Sequence, residues 1–278
     1  MASRRPLVNV SGSIRELPTG DTLPGVRELL TAARTYYVRT DGSDSNTGLS
    51  NTAGGAFATI QKAIDTAAAL DGSIYQITIS IASGTYAGIV LKKYVGSVPI
   101  AITGDTTTPA NVTITTTAPD CILGEDAGAW KLGGLKLQNT TGGTGLHLRG
   151  ATVVTFSGTM EFGACSSRHM FLIAGARLSI EAPWRITGSS PYHISASVYS
   201  FFLVTNQPCT LVGSLSFSAS FLECLGSEMR VFGVTFTGSA TGARYYVAFN
   251  GLIRVYGAGA NYLPGDAAGS TDGTGIYL

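Results

Sequence analysis

Short runs of alternating apolar and polar residues recur from residue 73 onward, and glycine, serine, threonine and asparagine separate them. Copies of one pattern repeat about every 22–25 residues, a length typical of one turn of a parallel β-helix. The copies begin at Gly128, Gly150, Gly175, Pro208, Gly226 and Asn250. The pattern favours an all-β solenoid, although a sandwich or a closed barrel also fits short strands at such spacing.

The alternation also predicts which side chains point inward. Successive side chains of a strand face opposite ways and stacked turns lie about 4.8 Å apart, so matching positions build ladders over an expected six or seven turns. The predicted inward ladders are Val153, Leu178, Met229 and Ile253; Thr155, Ile180, Val231 and Val255; and Phe162, Ile186, Phe217 and Phe236. The predicted outward ladders are Val154, Ser179, Arg230 and Arg254, and Glu161, Arg185, Ser216 and Thr235.

The first 72 residues follow a different pattern. Three prolines and little periodicity over residues 6–25 predict an extended arm, with turns at 18–21 and 24–25. Apolar residues at helical spacing predict a short helix over Val26–Ala33 and a longer one over Ala58–Leu70, and Tyr36–Arg39 reads as a strand. The longer helix, preceded by Phe57, is suited to cap the first turn. The predicted parts are an attachment arm (1–35), a cap (36–72), a β-helix (73–260) and a tail (261–278).

Composition narrows the classes of protein that fit. Apolar residues make up 44% of the chain, enough for a large core, while only 13% are charged. The net charge of +1 disfavours a nucleic-acid binder that depends on a strong basic field. No apolar run is long enough for a membrane helix, and the N-terminus lacks the apolar stretch of a secretion signal. We expect a soluble protein made in the cytoplasm, with no nucleic-acid partner and no membrane insertion.

Acidic residues are few and scattered, so no catalytic, cofactor-binding or metal-binding residue is predicted. A glycosidase needs carboxylates that converge, and residues 128–260 offer only Glu161, Glu181, Glu223 and Glu228, on unmatched positions. Glu161 stacks towards Arg185 instead, which predicts an exposed ion pair of little energetic weight. The loop Asp41–Gly48 is similar to a calcium loop, but Gly55 stands where its final acid is expected.

Histidines, cysteines and aromatic residues also lack a catalytic pattern. The histidines, which lie in no nucleophile motif and are expected on the surface or within a turn, are His147, His169 and His193. The cysteines form no CxxC pair and are expected to be small buried residues. In a repeat fold, their spacing of 44 residues could place three of them above one another: Cys121, Cys165 and Cys209. Aromatic residues able to stack on sugars are Trp130, Trp184, Tyr192, Tyr199, Tyr245 and Tyr246, of which Trp184 falls at an inward position.

Three segments resemble phage and prophage virion proteins that carry a pectate-lyase-like right-handed β-helix. RELPTGDTLPG at Arg15–Gly25 is similar to an N-terminal attachment segment of tail fibres. YYVRTDGSDSNTGLSNTAGGAFATIQKAID at Tyr36–Asp65 is similar to the strand, loop and helix that open such β-helices. NYLPGDAAGSTDGTGIYL at Asn261–Leu278 resembles a recurrent C-terminal tail. The resemblance implies a homotrimeric virion appendage, fixed by its N-terminus, with a right-handed parallel β-helix directed outward.

We therefore interpret the chain as a non-enzymatic structural or receptor-binding fibre or spike of a phage tail or head, without a cofactor. Residues 6–25 are expected to bind other virion proteins, and a host-surface glycan is a further candidate partner. The arm holds more apolar residues than a solvated segment needs, and the predicted attachment residues are Leu7, Val8, Val10, Ile14, Leu17 and Leu23. Two alternatives stay open: a small polysaccharide depolymerase of the tailspike type with a site between subunits, and a host-side β-helix adhesin.

Overall fold

Three parallel sheets run along the molecule, and each turn of the chain contributes one strand to each sheet. The computed structural model describes residues 7–16 and 26–278. Sheet 2 has seven strands, which mark seven complete turns, while sheets 1 and 3 continue into partial turns with ten and eight strands. The predicted all-β fold, a right-handed parallel β-helix, is confirmed.

The strands are short and succeed one another as sheet 1, sheet 2, sheet 3 along the chain. Sheet 1 consists of β3 Arg34–Val38, β4 Ile77–Ile81, β7 Ile100–Thr103, β10 Gly128–Gly133, β13 Thr152–Phe156, β16 Arg177–Ile180, β19 Phe201–Thr205, β22 Glu228–Phe232, β25 Leu252–Arg254 and β27 Ile276–Tyr277. Sheet 2 consists of β5 Gly84–Tyr86, β8 Val112–Thr115, β11 Leu135–Asn139, β14 Met160–Cys165, β17 Trp184–Ile186, β20 Pro208–Leu211 and β23 Thr235–Thr237. Sheet 3 consists of β6 Ile89–Leu91, β9 Asp120–Glu125, β12 Thr144–Arg149, β15 Arg168–Ile173, β18 Tyr192–Ser197, β21 Leu215–Leu225, β24 Ala240–Ala248 and β26 Ser270–Thr271. A 3₁₀ helix spans Pro109–Asn111.

The inward ladder of sheet 1 confirms most of the predicted alternation and corrects one turn. Leu178, Met229 and Ile253 lie in register and are buried, with Phe202 between the first two. In the preceding turn, however, Val154 pairs with Leu178, and Val153 points outward with 39% of its surface exposed. The predicted inward positions Val153 and Thr155 are therefore wrong by one residue. The reason is the register of the repeats: Arg149 pairs with Ile173, so Gly150 falls opposite Ala174 rather than Gly175, and Val154 rather than Val153 matches Leu178.

The predicted ladder of sheet 2 is correct for Phe162 and Ile186, which are in register. It is wrong for Phe217, because this residue lies in the eleven-residue strand β21 of sheet 3. Phe236 does lie in sheet 2, but it stands in register with Cys209, two residues before the predicted position in that strand. The long strand β21 accounts for the first error, since its turn holds 27 residues between the partners Phe202 and Met229 rather than 24. The second error arises at the next corner, because Phe236 follows Met229 by seven residues whereas Trp184, in the same column, follows Leu178 by six.

A single α-helix covers the N-terminal end of the coil. The predicted helix over Ala58–Leu70 is observed as α1, Ile60–Ala68, because Thr59 takes the N-cap position and accepts a hydrogen bond from the Lys62 N–H. Its buried face packs against β3, β4 and β6, the first strands of sheets 1 and 3. The Gln61 side chain accepts a hydrogen bond from the Val90 N–H and donates one to the Val90 carbonyl. The helix thus pairs with Val90 on the open edge of β6, the position expected of a cap, and its capping role stays a prediction.

The segments around the cap and at the C-terminus are strand-like. The predicted helix over Val26–Ala33 is wrong, because Leu29 forms a parallel bridge with Asp71 and the segment runs alongside it. Within the predicted arm, β1 Leu7–Val10 and β2 Ser13–Glu16 form an antiparallel hairpin, and the turns predicted at 18–21 and 24–25 lie outside the described residues. At the other end, β26 and β27 add strands to sheets 3 and 1. Within 7–16 and 26–278, no helix is both long and apolar enough to cross a membrane.

Candidate functional site

The corner at which sheet 3 passes into sheet 1 carries an unusual backbone in two of its turns. Val198 and Tyr199 have φ values of 52° and 60°, and Phe249 and Asn250 have values of 54° and 58°. This left-handed region suits glycine or asparagine, whereas a β-branched or bulky residue there is strained. In the turn between them, the corner residue is Gly226, with φ 56°. Two aromatic corners are therefore held on either side of a glycine corner.

Backbone hydrogen bonds between successive turns hold these corners in place. The Tyr199 N–H donates to the Gly226 carbonyl at 2.9 Å, and the Gly226 N–H donates to the Ala248 carbonyl at 3.0 Å. The Phe249 N–H donates to the Asp272 carboxylate at 3.0 Å. The corner spacing is thus fixed by the same stacking that builds the sheets.

An open groove of about 940 Å³ lies at this corner, and we call it the corner groove. Tyr199 is 87% exposed and Phe249 is 69% exposed, and both line it. They are two turns apart, which is about 9.6 Å at the usual strand spacing. That gap leaves room for one flat ring in van der Waals contact with an aromatic side chain on each side. A Cβ at Gly226 would lie 3.2 Å from the Phe249 carbonyl oxygen, so the groove needs glycine at its centre.

Charged groups lie where the corner groove opens onto sheet 1. Glu228 begins β22, accepts a hydrogen bond from Arg230 Nε at 2.8 Å and lies 3.4 Å from Arg254 Nε. Arg177 lines the same groove two turns away from Glu228, in the same column of outward side chains. Burial is partial here, so a ligand has access to these groups. The groove therefore combines aromatic walls, one carboxylate and an excess of guanidinium groups.

A second polar cluster lies on the outer face of sheet 3. His147 Nδ1 is 3.1 Å from the Asp120 carboxylate, and the Arg168 guanidinium lies over the rings of Phe171 and Tyr192 at 4.5 and 4.9 Å. Further along the sheet, Ser195 donates to Glu223 at 2.5 Å. His147 and Ser195 are two strands apart in one column, so they cannot act as a nucleophile and its base. This cluster holds the outer face of sheet 3 together.

The acids expected to be structural are indeed dispersed, but one predicted pair is wrong. Glu161 and Arg185 are in register, yet the Glu161 carboxylate binds Lys136 Nζ at 3.0 Å and accepts a hydrogen bond from Thr187. Glu161 is only 5% exposed, so it is not the exposed pair that was expected. The physical reason is that Lys136 lies one turn before Glu161 in the same column, and its side chain is long enough to reach the Glu161 carboxylate. Glu181 lines a smaller groove at the far edge of sheet 1.

Two of the three histidines are also displaced from the surface positions that were considered. His169 and His193 are fully buried in the core, because the strand pairing skips both of them at the entrance to sheet 3 and turns them inward. Trp184 is buried beside them, as predicted. All four cysteines are buried and free, but the predicted stack is wrong, since Cys121 lies in sheet 3 while Cys165 and Cys209 lie at different columns of sheet 2.

The loop that is similar to a calcium site serves the cap instead. The Asp44 carboxylate accepts hydrogen bonds from the backbone N–H groups of Ala58 and Thr59 and from the Thr59 hydroxyl. Among the residues that the structure describes, no group of three or more acids, histidines or cysteines is placed to hold a metal ion. The loop is therefore tied to the start of α1.

The predicted attachment residues lie partly outside the described chain. Leu7 and Ile14 are exposed on the hairpin, and Val8 is partly buried. The side chain of Val10 and the residues Leu17 and Leu23 fall outside what the structure describes. Their role in attachment stays a prediction.

Sequence reasoning named Tyr199 among several aromatics but missed Phe249 and the glycine between them. The signal was present in the repeats, because the same corner is Ala174–Gly175 in an earlier turn. Large side chains at a position that other turns fill with small residues indicate a special role.

No protein-family model matches the chain, and no curated protein matches it. Among solved structures, the chain is similar to the pectin methylesterase from Aspergillus niger in deglycosylated form, with 14% identity, 91% of this chain and 86% of that chain covered, and a TM-score of 0.49. It is also similar to the penultimately deglycosylated form of that enzyme, with 16% identity, coverage of 91% and 85%, and a TM-score of 0.48. At this identity the likeness does not carry an activity or a substrate over to the chain.

The comparison nevertheless corrects the functional interpretation drawn from the sequence. The non-enzymatic fibre expected from the sequence is contradicted by these comparisons, since the solved structures found are those of a pectin methylesterase, although nothing beyond the fold follows from them for this chain. The corner groove is a concave site with convergent polar groups.

Proposed function

We propose that the protein is a small polysaccharide depolymerase of the tailspike type, with its site at the corner groove. The observation that carries the proposal is the placement of exposed Tyr199 and Phe249 on either side of Gly226, with Glu228 at the exit. Sugar rings present apolar faces that stack on aromatic side chains, while their hydroxyl groups need polar partners at the edges. The resemblance of Arg15–Gly25 and Tyr36–Asp65 to phage virion proteins supports the tailspike part of the proposal.

Glu228 is the residue that we assign to acid–base catalysis. Cleavage of a glycosidic bond uses two carboxyl groups about 5–9.5 Å apart. Glu228 is the single acid among the described residues that line the groove. We therefore propose that a second copy of the chain supplies the other carboxyl group, so that the site is completed between subunits of a homo-oligomer. The homotrimer and the anchoring of residues 6–25 in the virion are further parts of this proposal.

The proposal is tested with purified protein and a panel of capsular polysaccharides and lipopolysaccharides, by measuring the release of reducing ends. We expect one of these glycans to be cleaved, and Glu228→Gln to lower the rate by about 10²–10⁴-fold, the usual contribution of a general acid or base. Glu181→Gln, which changes an acid in the other groove of sheet 1, is the matched control and should keep the wild-type rate. Absence of cleavage across the panel, or an active Glu228→Gln variant, would contradict the assignment.

The position of the site between subunits has its own test. Specific activity should fall when the protein is diluted below the concentration at which light scattering shows the oligomer to dissociate. Full activity in a species with the single-chain mass of 28.7 kDa would show that one chain holds the whole site.

A further inference from the structure

We infer that the corner groove is one end of a binding track that crosses sheet 1 along β22 and takes an acidic oligosaccharide of about four sugar units. The chain of sugars would lie perpendicular to the axis of the β-helix. The inference rests on the proposed function for the class of ligand, a glycan, and adds the length, direction and charge of the bound segment.

The direction follows from the walls of the corner groove. Tyr199 and Phe249 stand two turns apart along the axis, so they close the groove in the axial direction on both sides of Gly226. A sugar ring held between them has its linkages at the edge of the ring, in the plane between the two walls. The rest of the glycan must therefore leave along the rung, towards Glu228.

The outward side chains of one strand then define the path. Glu228, Arg230 and Phe232 alternate with the buried Met229 and Val231, so they share the outer face of β22. The six steps from Gly226 to Phe232 span about 20 Å at about 3.3 Å per residue. One pyranose unit, built from bonds of about 1.5 Å, advances a glycan by about 5 Å, so the path accommodates about four units.

A second aromatic platform lies at the far end of this path. The rings of Phe232 and Tyr256 meet edge to face at 5.1 Å, and the side chains are 44% and 52% exposed. They are on successive turns, at the opposite edge of sheet 1 from the corner groove. Exposed aromatics at both ends of one strand are what a linear ligand with apolar ring faces needs.

The middle of the path is positively charged. Arg230 and Arg254 are in register, Arg177 lies at the corner groove, and Glu228 is the one acid among these four residues. The Arg230 guanidinium is 5.3 Å from the Phe201 ring, which supports it from the preceding turn. Guanidinium groups bind carboxylates with two parallel hydrogen bonds, so an anionic group on a central sugar fits this position.

The test is affinity electrophoresis in gels that contain polygalacturonate, alginate or hyaluronate, with neutral dextran as the reference. We expect the wild-type protein to be retarded by at least one acidic polymer and not by dextran. Tyr199→Ala, Phe232→Ala and Arg230→Gln should each weaken the retardation about tenfold, because each removes a contact from a different part of the track. Tyr246→Ala and Arg185→Gln, on sheets 3 and 2, are the matched controls and should match the wild type.

Competition with oligogalacturonates of two to six units measures the length, and the gain in affinity should end at about four units. If Phe232→Ala and Arg230→Gln behave like the controls while Tyr199→Ala loses binding, the ligand is confined to the corner groove and the track is wrong. If no acidic polymer retards the protein, or dextran retards it equally, the charge assignment is wrong. These outcomes are independent of the cleavage assay, so a failed track leaves the proposed activity of Glu228 standing.

Discussion

Single residues in the left-handed region show where this coil departs from a plain repeat. Val198 occupies a conformation that costs an L-residue about 1–2 kcal/mol, and its partly exposed side chain recovers little of that by burial. In the equivalent corner one turn earlier, Ala174 also has a φ of 59°, and glycine takes only the second left-handed position, Gly175. Strain that the surrounding hydrogen bonds maintain is typical of functional positions, and here it holds Tyr199 at the wall of the corner groove.

Relief of this strain should separate stability from binding. Val198→Gly is expected to raise the free energy of unfolding in urea by about 1 kcal/mol, because glycine adopts the left-handed conformation without strain. Retardation by the acidic polymers should weaken in the same variant, since the Tyr199 corner becomes looser. Val153→Gly, at an exposed strand position with ordinary φ, should instead lower stability by about 0.5–1 kcal/mol. A Val198→Gly protein that is less stable than the wild type would show that the corner is not strained.

At the scale of elements, the cap and the coil depend on each other through α1. The helix buries Ile60 and Ile64 against the first strands, and Gln61 pairs with the backbone of Val90 in place of a further strand. Without this cover, the first turn would present apolar side chains and unpaired strand edges, which promote aggregation.

The double substitution Ile60→Asp with Ile64→Asp tests the role of the cap. Two unpaired carboxylates at buried positions cost several kcal/mol, so the helix should detach and the protein should become insoluble. Lys62→Asp, on the exposed face of the same helix, should leave a soluble protein with the same elution volume. A soluble, monodisperse double variant would show that the end of the coil needs no cap.

The elements also show what the sequence can predict. The ladder Leu178, Met229 and Ile253 follows from the repeat, because each residue lies three positions after the first residue of its copy, which is Gly175, Gly226 or Asn250. Val153 was placed inward because its repeat was matched from Gly150 to Gly175, whereas Gly150 falls opposite Ala174, and a shift of one residue reverses every side chain of the strand. Period-2 patterns predict a face only after the register of the repeats is known.

The candidate site was less predictable for the same reason. Tyr199 and Phe249 are 50 residues apart, and they flank Gly226 only because the longer strand β21 and its neighbours bring three corners into one column. The sequence indicates aromatic residues able to stack on sugars and a low net charge. No local sequence motif marks the corner groove, because the groove forms only where successive turns of the coil stack. The signal that was available is the replacement of small corner residues by large ones.

At the scale of the whole molecule, one continuous core joins all the turns, and a buried histidine pair lies near its middle. Trp184 Nε1 donates to His193 Nε2 at 3.1 Å, so the His193 Nδ1 carries the proton and donates to His169 Nδ1 at 3.0 Å. Both rings must be neutral for this chain of hydrogen bonds. Burial lowers the pKa of His169 to about 3, and burial together with His169 lowers the pKa of His193 well below its ordinary value.

Acid should therefore destabilise the protein through these two residues. Because their pKa values are lower in the folded than in the unfolded chain, the unfolded chain binds more protons below about pH 6.5. The stability that the two neutral histidines contribute is fully present above that pH. Below it, the free energy of unfolding falls by about 1.4 kcal/mol per histidine for each pH unit. His169→Asn, which keeps an acceptor near His193 Nδ1, should reduce the slope of urea stability between pH 6.5 and 4.5. An unchanged slope would show that His169 does not titrate on unfolding.

The glycine at the floor of the corner groove has a consequence for how such a protein diversifies. Because Gly226 alone separates two aromatic walls, one codon change to a larger residue would close the site and leave every strand in place. Insertion or loss of one whole turn between the walls would change their separation by about 4.8 Å, which would leave the walls too far apart or too close together for one ring. Single heritable steps can therefore open or close the corner groove without altering the strands that carry it.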